Sequence, residues 1–173
     1  MAVLGGGPIG CELAQAFARL GTDVTLFHSG AHLLKREDPA AAALLARACA
    51  RDRVTIYLET RPHRVSAAAG AKRIHFHGAQ GETHVDVDAI LVAAGRAPNV
   101  EDLGLEAAGV AHDTRRGIHV DDRLRTTQPG IFAAGDCCMR QQFTHAADAA
   151  ARLLIQNALF AGPGSAFAII TSS

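Results

Sequence analysis

Directly after a short apolar run the chain reads Val3-Leu4-Gly5-Gly6-Gly7-Pro8-Ile9-Gly10-Cys11-Glu12, and the spacing Gly5-x-Gly7-x-x-Gly10 constrains the fold more than any other stretch. Gly5 permits a tight turn from strand into helix, and Gly7 lets a pyrophosphate approach the backbone. Gly10 lets the helix lie against the strand, with its free N–H groups and positive dipole end facing the phosphates. Three glycines alone also describe an ordinary turn, so the context decides. Leu13, Ala14, Phe17, Ala18 and Leu20 form an apolar face at helical spacing, Gly21 stops the helix, and Asp23-Val24-Thr25-Leu26-Phe27 reads as a second strand. A strand-helix-strand unit with this loop at its first turn predicts a dinucleotide site, with Gly5, Gly7, Pro8, Ile9 and Gly10 at the phosphates.

The alternation continues. Asp38 caps a helix that opens on Pro39 and runs through the helix formers from Ala40 to Ala50, and Val54-Thr55-Ile56-Tyr57-Leu58 returns as a β-branched strand. Strand, helix, strand, helix, strand implies a mainly parallel sheet with right-handed crossovers and helices on both faces. Residues 63–87, broken by Gly70, Gly78 and Gly81, read as a small antiparallel meander. The apolar run Asp88-Ala89-Ile90-Leu91-Val92-Ala93-Ala94-Gly95 then reads as a strand buried on both faces that rejoins the sheet. A short helix over 103–110, strands at 118–120 and 131–133, and a helix over 144–160 packing through Ala147, Ala151, Leu154, Ile155 and Leu159 complete the reading. Gly162-Pro163-Gly164 stops that helix, and residues 163–173 are expected to be a tail.

Of the 173 residues, 17 are basic and 17 acidic, with no basic run, which argues against a nucleic-acid footprint and for a small-molecule ligand. No apolar run approaches a spanning length, so a cytoplasmic protein without a membrane partner is expected. Cys11, Cys49 and the adjacent Cys137-Cys138 match neither a metal spacing nor a C-x-x-C redox pair, and packed thiols are expected. His75 and His77 alternate with Ile74 and Phe76 and so should face solvent. They are not read, with His84, as metal ligands.

Beside Arg36-Glu37-Asp38-Pro39 and Phe143-Thr144-His145-Ala146-Ala147-Asp148, which resemble stretches of the mercuric reductase and dihydrolipoamide dehydrogenase branch, three ordered blocks resemble the pyridine-nucleotide disulfide oxidoreductase family of flavoproteins as a whole. They are the glycine loop through Gly21, then Ile90-Leu91-Val92-Ala93-Ala94-Gly95-Arg96-Ala97-Pro98-Asn99, then Thr126-Thr127-Gln128-Pro129-Gly130-Ile131-Phe132-Ala133-Ala134-Gly135-Asp136. The resemblance implies an NAD(P)-binding Rossmann domain over 1–112 and part of a FAD-binding domain over 113–162, the chain being a fragment of a longer flavoprotein. Glu12 would meet the nicotinamide end, and Ala94, Gly95 and Arg96 the adenine or ribose side. Gly135 and Asp136 would meet the flavin's ribityl chain, and the backbone near His145 and Ala146 the flavin ring. The implied function is the nicotinamide-binding part of a reductase that passes hydride from NAD(P)H to FAD. A stand-alone NAD(P)-binding module without turnover is the alternative. The chain alone is expected to hold no flavin, to be inactive, and to self-associate through apolar surface.

The end of the second strand bears on which nicotinamide cofactor fits. An Asp or Glu about 20 residues beyond the glycines usually accepts from the ribose 2′-OH of NAD and repels a 2′-phosphate. Here the chain has Phe27-His28-Ser29-Gly30, then Lys35 and Arg36. His28, Ser29 and Arg36 would suit a 2′-phosphate, so NADPH is expected to bind at least as well as NADH.

Overall fold

A computed structural model describes residues 1–78, 80–139 and 142–160, and the chain divides into two compact units, the first Met1–Gly95 and the second beginning at Arg96. The first holds β1 (Ala2–Leu4), α1 (Pro8–Arg19), β2 (Thr25–Phe27), α2 (Pro39–Arg51), β3 (Thr55–Tyr57), the meander strands β4 (Arg64–Ala68), β5 (Ala71–Gly78) and β6 (Gly81–Val87), and β7 (Ile90–Val92). The second holds the hairpin of β8 (His112–Asp113) and β9 (Gly117–Ile118), then α3 (Thr144–Leu159).

The strands of the main sheet pair in the order β3-β2-β1-β7, all parallel, with Val3 beside Leu26 on one side and Leu91 on the other. Both crossovers step in the same direction, so α1 and α2 fall on the same face rather than on both faces. Cys11, Ala14, Ala18 and Cys49 pack there against Val3, Leu26 and Val54. The meander covers the opposite face. Ile74, Phe76 and Val87 meet Ala2 and Phe27, and the Phe76 ring stands edge-on to Phe27 at 4.9 Å between centroids. The strand period of two thus buries Ile74 and Phe76 and turns His75 and His77 outward, as their alternation predicts.

The helix ends follow local chemistry. The Asp38 carboxylate accepts from Ala40 N–H at 2.8 Å and Ala41 N–H at 3.3 Å, with Pro39 at the first helical position. Gly21, at φ +93°, ends α1 by donating to Ala18 O, and Thr22 N–H donates to Phe17 O.

Several further expectations are corrected. The stripe of α1 that meets the sheet is Cys11-Ala14-Ala18, while Phe17 and Leu20 face outward. Among the described residues strand β7 is paired on one side only, and Val92 is 72% exposed instead of buried. The 103–110 stretch forms hydrogen-bonded turns, not a helix, because Asp102, Gly104 and Gly109 adopt positive φ of 59°, 65° and 71°. Helix α3 buries Ala146 and Ala150 under Leu124 and Met139 in place of the expected Ala147 and Ala151, while Leu154 packs alongside as expected. Of the strands expected at 118–120 and 131–133, Ile118 lies in β9 and Phe132 forms a single bridge with Arg125. In the second unit Val100, Leu105 and Val110 pack with Ile118 and Ala133. The expected tail, with Gly162-Pro163-Gly164, lies outside the described residues.

Candidate functional site

At the C-terminal end of β1 the three fingerprint glycines do three different things. Gly5 has φ +119°, and a methyl there would overlap the Ala93 carbonyl group. A methyl on Gly10 would overlap the Gly5 carbonyl oxygen, so the absent side chain is what lets α1 sit on the turn. Around Gly7, by contrast, no atom beyond the glycine and its two chain neighbours lies within 4 Å of the position a Cβ would take. Two of the glycines are therefore required by the fold itself, and Gly7 leaves open the side from which a ligand would approach.

Gly7 is also the N-cap of α1, with no side chain capping it, and Cys11 N–H is the first to close an intrahelical bond, to Gly7 O at 2.9 Å. Pro8 has no N–H to offer, and neither acidic side chain nor cap competes in the first turn. The start of α1 thus keeps backbone donors and the positive dipole end for an anion. Ile9 is 45% exposed beside them, and Glu12 is exposed one turn further on.

Gly6, the unspecified position of the fingerprint, is the best-held residue of the loop. Its N–H donates to His28 Nδ1 at 3.1 Å, and its carbonyl accepts from Leu34 N–H at 2.8 Å. A methyl on it would stand 2.7 Å from Leu33 Cδ2 and 2.8 Å from His28 Cγ. The segment after β2 is therefore bound to the glycine loop through Gly6. Among the residues expected to read the 2′-phosphate, His28 is half-buried and Ser29 and Arg36 are exposed. Burial is the largest of the influences that lower the pKa of His28 below its ordinary value. Sequence reasoning passed over Gly6, Leu33 and Ala93; the run of three glycines was the one available signal for the first.

After β7, Ala94 and Gly95 are exposed, with Gly95 at φ +121°. In the second unit Arg96 and Asp136 form an ion pair, so two residues predicted to touch different cofactors are paired with each other. Gly135 is buried at φ +84°, and its carbonyl accepts from Cys138 and Met139 N–H. His145 is exposed in the first turn of α3, whereas the Ala146 side chain belongs to the core and leaves only backbone to a ligand.

The cysteines are all free. Burial first, then Cys49 and Glu12, push the Cys11 thiol up to about 11, and burial with Cys137 pushes Cys138 up to about 12. Both are held as thiols, the unreactive form. Among the described residues no helix is long and apolar enough to cross a membrane, and no group of three or more His, Cys, Asp or Glu converges as a metal site.

Residues 1–151 match the family model described as pyridine nucleotide-disulphide oxidoreductase. The chain is 42% identical over 150 residues to a mercuric reductase of Acidithiobacillus ferrooxidans, covering 87% of this chain and 26% of that protein. It is 37% identical over 147 residues to a dihydrolipoyl dehydrogenase of Thermus scotoductus, covering 84% and 32%. The HOCl-induced flavoprotein disulfide reductase RclA from Escherichia coli, solved as its Cu(II) complex, superposes with a TM-score of 0.86 at 34% identity, covering 95% of this chain and 37% of that one. The chain thus spans between about a quarter and two fifths of the length of these relatives.

Proposed function

The chain belongs to the pyridine nucleotide-disulphide oxidoreductase family, and from that premise we propose that it is the nicotinamide-dinucleotide-binding part of a flavin-dependent NAD(P)H oxidoreductase. The observation that carries this is the division of labour among the glycines: Gly5 and Gly10 are closed by the fold, and Gly7 is open at an uncapped helix start. A diphosphate laid across Gly7 would take the free N–H groups of α1 on the side where a Cβ would meet nothing. Pro8 and Ile9 flank it, and Glu12 stands where it would meet the nicotinamide end. Ala94 and Gly95 would border the adenosine, with Arg96 beside them in sequence.

The 28–36 segment favours NADPH. It carries no carboxylate to repel a 2′-phosphate, and it brings Ser29, Lys35 and Arg36 to its surface. In the second unit Asp136, Gly135 and the backbone at His145 and Ala146 would take their part of FAD, which accepts the hydride from the nicotinamide and supplies the redox chemistry. Asp136 would hydrogen-bond the ribityl chain, with Arg96 holding its carboxylate. Exposed apolar residues such as Leu20, Val92 and Leu159 favour self-association of this chain in a cytoplasmic setting.

Calorimetric titration with NADPH and NADH tests the reading. One-to-one saturable binding of NADPH, at least as tight as that of NADH and competed by ADP-ribose, is the expected result. Absence of saturable binding by either would end it. Anaerobic bleaching of flavin by NADPH in the complete protein tests the hydride step.

A further inference from the structure

The imidazole of His28 joins two parts of the site that lie 22 residues apart in the chain. Because Nδ1 accepts from Gly6 N–H, the proton of the neutral ring sits on Nε2. That nitrogen is buried and has no partner among the described residues. The ring is closely enclosed: a methyl on Gly6 would stand 2.8 Å from Cγ, and one on Gly30 would stand 2.8 Å from Nε2. Leu34 N–H binds Gly6 O from the same segment, and Leu33, 1% exposed, closes over Gly6.

A second proton has no place in this arrangement. On Nδ1 it would set donor against donor at Gly6, while Nε2–H already lacks an acceptor. The surrounding groups add to the effect. Burial is the largest influence and disfavours the charged ring; the His32 carbonyl comes next and favours it, and then His32 and Lys35 from the same segment disfavour it. Tyr57 and Glu59 follow on the neighbouring segment, bound by backbone to His28 and Gly30, and Cys11 lies on α1 with its thiol on Gly6 O. None of these is a carboxylate paired with the ring.

We propose that His28 is a positioning residue for the phosphate-binding loop and a proton-linked latch on it. Neutral, it holds Gly6 and the 28–34 segment together in the form that accepts a dinucleotide; protonated, it lets them part. The second clause of that function rests on the dinucleotide reading above, whereas the latch itself is a property of the free chain.

Two measurements on the 173-residue chain separate these. In the ¹⁵N-labelled protein without ligand, the His28 ring nitrogens should show an unprotonated Nδ1 at pH 7.5. The Gly6 amide should move in step with the titration of His28 between pH 8 and 5. A Gly6 amide indifferent to His28 protonation overturns the latch. The second measurement is NADH affinity over the same range, NADH being chosen because it lacks the 2′-phosphate that also titrates there. Affinity should be flat above pH 7 and fall toward a limiting slope of about tenfold per pH unit below the His28 midpoint. His28→Asn offers Oδ1 to Gly6 N–H but cannot titrate, so it should lose the acid decline whatever its affinity at neutral pH. Retention of the wild-type pH profile in His28→Asn contradicts the proposal. If neither NADH nor NADPH binds at any pH, the dinucleotide reading falls and the Gly6 titration decides the latch by itself.

Discussion

Substituting alanine at Gly7 and at Gly10 separates what the fold needs from what the ligand needs. At Gly10 the new methyl would overlap the Gly5 carbonyl oxygen, a backbone atom that no rotamer change can move aside. Relief requires α1 to shift off the turn it packs against. Overpacking of this kind costs ~1–3 kcal/mol, and a clash with backbone belongs at the upper end. With a urea dependence of ~1–3 kcal/mol per molar, the Gly10→Ala midpoint should fall by at least about 1 M. At Gly7 the backbone is at φ −80° and ψ −178°, open to any residue, and the methyl would meet nothing within 4 Å. Loss of unfolded-state entropy would stabilise the chain by ~0.4–1 kcal/mol, and the poorer cap that alanine makes offsets it by a similar amount, so stability should change by less than about 0.5 kcal/mol. The same methyl would stand where a pyrophosphate must come. NADPH affinity should therefore fall by at least about tenfold, or ~1.4 kcal/mol. Urea unfolding followed by circular dichroism, with NADPH titration of each folded variant, gives both quantities. If Gly7→Ala is as destabilising as Gly10→Ala, or binds NADPH as wild type does, the reasoning fails.

Three further outcomes are expected. Asp38→Ala removes the cap of α2 and should cost ~1 kcal/mol, read as a lower urea midpoint with an unchanged slope. Ser29→Ala combined with Arg36→Ala should weaken NADPH by about tenfold or more and leave NADH nearly unaffected, since each charged hydrogen bond to a 2′-phosphate is worth ~1.5–3 kcal/mol; equal effects on both cofactors would remove these residues from the 2′-phosphate. Asp113 has its pKa lowered to about 2 by Arg116 N–H first and His119 next. A depressed carboxyl stabilises the fold above its ordinary value of 3.8 and loses that contribution as pH falls toward 2, so the melting-temperature advantage of wild type over Asp113→Asn should be full at pH 5 and shrink below pH 4.

What could be read from the sequence was what local chemistry decides. The glycine spacing, the Asp38-Pro39 helix start, the Gly21 stop and the alternation of Ile74-His75-Phe76-His77 each depend on neighbours a few residues away, and each stands in the structure. What escaped depends on distant partners. The role of Gly6 needs His28 and Leu34 to return to it, and a fingerprint written as fixed and free positions makes Gly6 a free one. The apolar run at 88–95 looks like a central strand, yet its burial depends on which strands lie beside β7, and only β1 does among those described. In α3 the helical period places Leu154 correctly but misses Ala146 and Ala150 by one residue each, because Leu124 and Met139, which cover them, come from irregular segments that carry no period. The pairing of Arg96 with Asp136 spans 40 residues and leaves no trace in spacing.

The central claim is that the open side of Gly7 at the start of α1 receives a dinucleotide diphosphate. Amide NMR of the ¹⁵N-labelled chain during NADPH titration tests it most directly. The Gly7, Ile9 and Gly10 amides should shift together and saturably, ADP-ribose should reproduce those shifts without the nicotinamide, and the Asp113 and α3 amides of the second unit should stay in place. Saturable binding that leaves the Gly7, Ile9 and Gly10 amides unmoved would contradict the account.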